Sequence, residues 1–192
     1  VAAGRAPDAS FSYSYVDLVT PAPTLPDCVT AWRSGCRITI NYETHIHPLW
    51  RRPRVTLAAA GVTVLADDTC TTCHSNRSAA AVAQVPPGQL ELTDGASADE
   101  PDHFHAYREL LATDAEQELA GGVVQDRQVQ VGVDPVTGAA QFQTVPVPSA
   151  LRAGSANGSV TFFSKFAPGG THAGRLTAAE LRLVSEWVDG GA

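Results

Sequence analysis

Cys70, Cys73 and His74 stand together in the stretch CTTCH, and three kinds of chemistry use such a set. In a c-type haem site the two thiols add to the porphyrin vinyl groups and the next residue turns its imidazole onto the iron. In a zinc site the pair would supply half of a tetrahedron. In a dithiol redox site one cysteine would be an activated thiolate. The zinc reading needs a second closely spaced pair, and Cys28 and Cys36 are too far apart to form one. The dithiol reading needs a strand–helix–strand pattern around the motif, which the sequence lacks. The spacing therefore predicts one covalently attached haem c, with Cys70 and Cys73 as attachment points and His74 as proximal ligand.

The opposite face of the iron poses a second question. The chain contains no methionine, so His/Met ligation is excluded. The other histidines are His45, His47, His103, His105 and His172, and there is a single lysine, Lys165. His172 lies in a glycine-rich stretch, APGGTHAGRL, just before the last predicted helix. That order, with a short helix, CxxCH, a variable middle and a C-terminal helix, resembles class I cytochromes c. There the sixth ligand comes from a loop before the final helix, so the resemblance ranks His172 first, with His47 and His45 as alternatives. Whichever of these two is not a ligand is expected to bond a haem propionate or the backbone. His103 and His105 are expected on a surface helix and its edge.

These residues must be positioned by ordered elements. Thr177 and Glu180 form a capping box, and Leu181, Val184, Trp187 and Val188 make the apolar stripe of a helix that Gly190 ends. Phe104, Tyr107, Leu110 and Leu111 predict another helix, with Asp102 as its cap. Asn41 is the expected cap of a short helix from Tyr42, shortened or kinked by Pro48. RVTLAAAGVTVLADD reads as strand and turn, VPPGQLELTDG as turn, strand and turn, and SANGSVTFFSKF as a short helix. Val129, Val131 and Val133 alternate with polar residues before DPVTG, and Phe142 lies on the return strand of this hairpin.

The expected architecture is mainly α: a class I cytochrome c-like haem domain over residues 37–192, with an inserted β-hairpin at about 120–148. Residues 1–36 form an extended N-terminal arm. Within it Phe11, Tyr13 and Tyr15 alternate as in a strand, and Pro21, Pro23 and Pro26 keep the following segment non-helical. Such an arm could pair with a second copy, giving a homo-oligomer or filament.

Composition narrows the function. A net charge of −7 opposes nucleic-acid binding, and no apolar run is long enough to span a membrane. No signal-like apolar segment opens the chain, so it reads as a mature sequence. Haem attachment and a spare cysteine pair point to an oxidising compartment, periplasmic or extracellular, and Cys28 and Cys36 are expected to form a disulfide.

Several stretches carry a family resemblance: INYETHIHPLW, CTTCH, GQLELTDG, YRELL and FFSKFAPGGTHAGRLTAAELRLVSEWVDGGA. Together they resemble the C-terminal cytochrome region of proteins related to the alpha subunit of hydrazine synthase. The resemblance implies a haem with two histidine ligands, carried here by His74 and His172. Nothing matches that subunit's separate catalytic haem domain. The expected function is accordingly electron transfer to redox partner proteins, not catalysis. The alternative is a haem enzyme or gas-binding protein with an open distal side. No paired acid–base motif for peroxidase chemistry is visible.

Overall fold

Helix α6 (Ala178–Asp189) organises the molecule, and its start is fixed by its sequence. Thr177 Oγ1 accepts from the Glu180 N–H while the Glu180 carboxylate accepts from the Thr177 N–H, closing the capping box. The helix buries Leu183, Val184, Trp187 and Val188. Full burial of such side chains stabilises by about 1.5–3 kcal/mol each. Leu183 was absent from the expected stripe, and Leu181 packs only at the margin of the core.

The computed structural model describes Tyr15 and residues 17–190. The expected strand around Phe11 and Tyr13 lies outside the described residues. Tyr15 is buried, and its hydroxyl bonds the Glu186 carboxylate on α6. Further on, the arm is not wholly extended. Pro26 opens the short helix α1 (Pro26–Thr30), where a missing N–H and a fixed φ suit the first helical position. Cys28 and Cys36 are joined by a disulfide that closes the loop after it.

Against α6 packs a π-turn (Tyr42–Ile46) running into α2 (His47–Arg51). Asn41 caps the turn as expected, accepting from the Thr44 N–H at 3.0 Å. Pro48 falls in the first turn of α2, so the irregular π-turn ends where proline begins a new helix. Ile46, Leu49 and Trp50 from this pair, Leu110 from α4 (His105–Leu111) and Leu151 complete the core with α6. The cap of α4 is not Asp102; Phe104 holds the position without a side-chain bond.

The remaining elements are strands. β1 (Val55–Leu57) and β2 (Val64–Asp67) form a hairpin whose turn uses Gly61 at φ +74°. β3 (Asp114–Ala115) pairs with β8 (Pro146–Val147), β4 (Gln117–Ala120) with β5 (Val123–Asp126), and β6 (Gln128–Val133) with β7 (Ala140–Thr144). Asp134 turns the last hairpin by accepting from the N–H groups of Val136 and Thr137. No strand forms in LELT; a 3₁₀ turn at Pro87–Gln89 is followed by extended chain.

This arrangement overturns the expected mainly-α, class I cytochrome c-like fold. Among the described residues helix makes up 29% and strand 19%. Among the described residues there are six short α-helices and four separate two-stranded antiparallel sheets. The cause is local: prolines and glycines divide the chain into segments too short for long helices, and β-branched runs between them pair with their nearest neighbours. Among the described residues no helix is long and apolar enough to cross a membrane.

Candidate functional site

The CTTCH motif is shaped before any ligand is considered. Asp67 Oδ1 accepts from the Thr69 N–H at 2.9 Å, and Thr69 Oγ1 accepts from the Arg54 N–H at 3.0 Å. These bonds end β2 and start the single-turn helix α3 (Cys70–Cys73). Three residues apart on one turn, Cys70 and Cys73 share a face, and both half-buried thiols line one cavity of about 530 Å³. That volume falls in the range of small-molecule and cofactor sites, about 300–1,000 Å³. The walls are largely apolar, with Trp50, Leu90, Leu92, Phe162 and Phe166 among them.

His74 follows at the C-cap of α3, its N–H donating to the Cys70 carbonyl at 2.8 Å. Its Nδ1 lies 2.9 Å from the Leu90 carbonyl oxygen, an acceptor only. Nδ1 therefore carries the proton and Nε2 keeps the lone pair. Burial lowers the affinity of His74 for a second proton; the Leu90 carbonyl opposes this, while Lys165 and Arg175 add to it.

Across the cavity stands His172. Its loop follows α5 (Val160–Phe163) and a 3₁₀ turn, Ser164–Phe166. The His172 N–H donates to the Lys165 carbonyl at 2.8 Å. A Cβ at Gly170 would come within 2.3 Å of that same carbonyl oxygen, so the loop closes only over glycine. The close neighbour of Gly170 is thus the loop's own backbone. His172 Nδ1 lies 2.9 Å from Thr171 Oγ1; with the proton on Nδ1 donated to this hydroxyl, Nε2 is available here as well. Burial, then Arg175, His74 and Lys165, hold the His172 imidazole toward its neutral form. Neutral imidazole is the metal-ligating state.

The two imidazole centroids are 5.9 Å apart and tilted by 32°. Two rings bound to one metal through bonds of about 2 Å would have centroids about 6 Å apart. The spacing is within the range of a tilted ring contact and equally leaves room for one atom between the rings.

The other predicted ligands are elsewhere. His45 folds back on Asn41, its Nδ1 2.9 Å from the backbone N and 3.1 Å from the backbone O. His47 is buried, stacks on Phe104 at 4.5 Å, and places Nε2 2.6 Å from Asp94 Oδ1. Both keep structural partners, and neither lines the cavity. His105 is not a plain surface residue; it sits between the carboxylates of Glu91 at 3.4 Å and Glu109 at 3.3 Å.

Sequence reasoning missed several residues that build this site. Leu90 and Thr171 orient the two imidazoles. Arg175 pairs with Asp68 at 2.8 Å on the cavity wall. Glu180, read only as a capping residue, is fully buried and also binds Arg52 at 2.7 Å and Arg54 at 3.2 Å. No local pattern marks these roles except Glu180's, since the partners are distant in sequence.

The thiols discriminate between the competing chemistries. Burial raises Cys70 above the usual thiol range, and the nearby Arg54 only partly offsets it. A protonated thiol does not suit dithiol exchange. Among the described residues no group of three or more His, Cys, Asp and Glu side chains converges as a ready-made metal site. Trp50, on the cavity wall, keeps its buried indole N–H close to the Tyr42 hydroxyl. Two imidazoles 5.9 Å apart, two thiols on one helix face and apolar walls fit a haem c. Comparison with protein-family models, curated proteins and solved structures finds no match.

Proposed function

We propose that the protein is a monohaem c-type cytochrome that transfers electrons through a bis-histidine haem. The observation that carries this reading is that His74 and His172, with ring centroids 5.9 Å apart, line a cavity that Cys70 and Cys73 also line. Cys70 and Cys73 would hold the haem covalently, and His74 and His172 would take the axial positions. The bound haem supplies a one-electron iron couple.

The chain's own residues give that couple its setting. The Leu90 carbonyl and Thr171 hydroxyl hold both rings by Nδ1, so each presents Nε2 with little reorganisation. Apolar walls exclude water and keep the site at low dielectric. With His74 and His172 both holding the iron, no position would remain for a substrate, so the group would supply outer-sphere transfer and the reading is of an electron carrier rather than an enzyme.

The Cys28–Cys36 disulfide supports an oxidising compartment, periplasmic or extracellular. The partners are redox proteins, and a second copy can add through the N-terminal arm to build an oligomer or filament. The resemblance to the cytochrome region of hydrazine synthase alpha subunit-related proteins favours the same ligand pair.

Absorption spectra of the oxidised and reduced protein, with denaturing mass spectrometry, test this reading. The expected result is low-spin haem and a chain heavier by one haem; a mass equal to the bare polypeptide would sink it. His172→Ala should turn the spectrum high-spin with the haem still attached, and His172→Met should raise the potential. A high-spin spectrum in the unaltered protein would favour an open distal side and an enzyme or gas-binding role.

A further inference from the structure

Behind the His172 loop lies a second recess, also of about 530 Å³, and its lining is as polar as that of the first cavity is apolar. Arg52, Arg54 and Arg175 converge on it, with Thr171 and Thr177 beside them. Two carboxylates answer the three guanidiniums: Glu180 takes Arg52 and Arg54, and Asp68 takes Arg175. The cluster keeps one positive charge in a chain whose net charge is −7. Each guanidinium offers five N–H donors, and the hydrogen bonds these three make leave most of them free. Convergent, underused guanidiniums are the usual recognition device for phosphate and carboxylate.

Thr171 links the recess to the first cavity. Its Oγ1 lies 2.9 Å from His172 Nδ1, and the residue lines the recess; with the proton on Nδ1, Oγ1 accepts from the ring and its own O–H is left to donate. His172 lines the other cavity. We propose that this recess is an oxyanion site, for a phosphate or carboxylate group, whose occupancy is relayed through Thr171 to His172. An anion accepting from Thr171 would make its oxygen a better acceptor, strengthen the His172 Nδ1–H bond and raise the ring's donor strength. Its charge acts in the same direction. Both effects favour ferric over ferrous iron, so the anion should lower the reduction potential.

The site itself does not depend on the haem reading; only the relay to the potential does. Inorganic phosphate is titrated into the purified protein, followed by calorimetry and by ³¹P line broadening, and the potential is measured across the same titration. One phosphate should bind, sulfate should compete, and Arg175→Gln should weaken binding at least tenfold. A tenfold preference for the oxidised form would lower the potential by 59 mV at saturation. Thr171→Val should weaken phosphate binding less than Arg175→Gln does but lose most of the anion's effect on the potential, which a merely structural role would not produce.

If the haem's own propionate fills the recess, phosphate is excluded from the loaded protein. Arg175→Gln should then move the carboxylate band in the redox difference infrared spectrum. No phosphate binding, together with an unmoved carboxylate band, overturns the proposal. A chain found to carry no haem would end the relay, and calorimetry with phosphate would still decide the oxyanion site.

Discussion

α6 and the β6–β7 hairpin treat water in opposite ways. Both have a clear apolar period in sequence, 3.6 in the helix and 2 in the hairpin. The helix buries Leu183, Val184 and Val188 completely. The hairpin leaves Val131, Val133 and Phe142 all more than half exposed. Periodicity therefore specifies the element, while burial depends on whether another element arrives to cover its face. Everything assigned to the site lies on the covered side, since a fixed cavity needs walls that cannot move.

Glu180 gives the largest way to break the covered half. It ties the start of α6 to Arg52 and Arg54, and Arg54 in turn holds Thr69 beside Cys70. Glu180→Gln removes a buried charge from under two guanidiniums, for which the expected loss is about 3–5 kcal/mol in denaturant unfolding. Burial pushes the Glu180 carboxyl up, but the Thr177 N–H, Arg52 and Arg54 outweigh it and hold it below the usual range. Its stabilisation is therefore full above the ordinary carboxylate pKa and is lost as pH falls through the lowered value. The variant should flatten the acid limb of the stability curve; an unchanged limb would assign acid sensitivity to other groups.

The Cys28–Cys36 bridge comes next. Closing so short a loop restricts the unfolded chain by about 2–3 kcal/mol. Reduction should lower the unfolding free energy by that amount and leave the 70–74 region in place, as read by hydrogen exchange of the His74 and Leu92 amides. Loss of protection there at the same time would place the bridge inside the cooperative unit of the site.

His105 offers a test of the same half from the alkaline side. Glu109 and Glu91 raise its pKa to about 10 against the cost of burial. Its folded value lies above the unfolded one, near 6.5. The stabilisation is full below about pH 6.5 and disappears as pH rises to about 10. Burial pushes Glu109 up, which offsets part of the gain, so the net effect is on the order of 2 kcal/mol. His105→Gln should remove the decline between pH 7 and 10; if the decline persists unchanged, the charged pair is not its source.

Local chemistry was readable where it is local. The Thr177–Glu180 box, the Asn41 cap and the hairpin turned at Asp134 each depend on residues within a few positions, and each forms as its sequence implies. What failed was global. Ranking His172 first came from an analogy to class I cytochromes, yet the fold around it is different; His172 faces His74 because Gly170 lets its loop close on Lys165. The expected strand at LELT was alternation without a partner: the segment instead gives its Leu90 carbonyl to His74 and its Leu92 N–H to the His74 carbonyl. Asp102 looked like a cap, but α4 starts at His105, which brings that histidine to Glu109 one turn along. Such pairings join residues distant in sequence or depend on where a chain turns, and no window of sequence contains them.

The smallest expected effect lies in the hairpin, where the comparison is sharpest. Val131 and Phe142 belong to a sheet of two strands whose side chains are in water on both faces. Val131→Thr keeps the β-branch and the strand preference while removing apolar surface. Phe142→Ser removes more. Neither leaves a cavity in the folded monomer, so each should change the unfolding free energy by no more than about 0.5 kcal/mol. The cavity between His74 and His172 should be untouched. Solution behaviour is the informative readout, because exposed apolar strands with free edges invite pairing with another chain. If sedimentation is unchanged as well as stability, the hairpin is an ornament on the cavity-bearing half. If stability falls by 2 kcal/mol or more, the hairpin is covered in solution, and the contrast with α6 disappears.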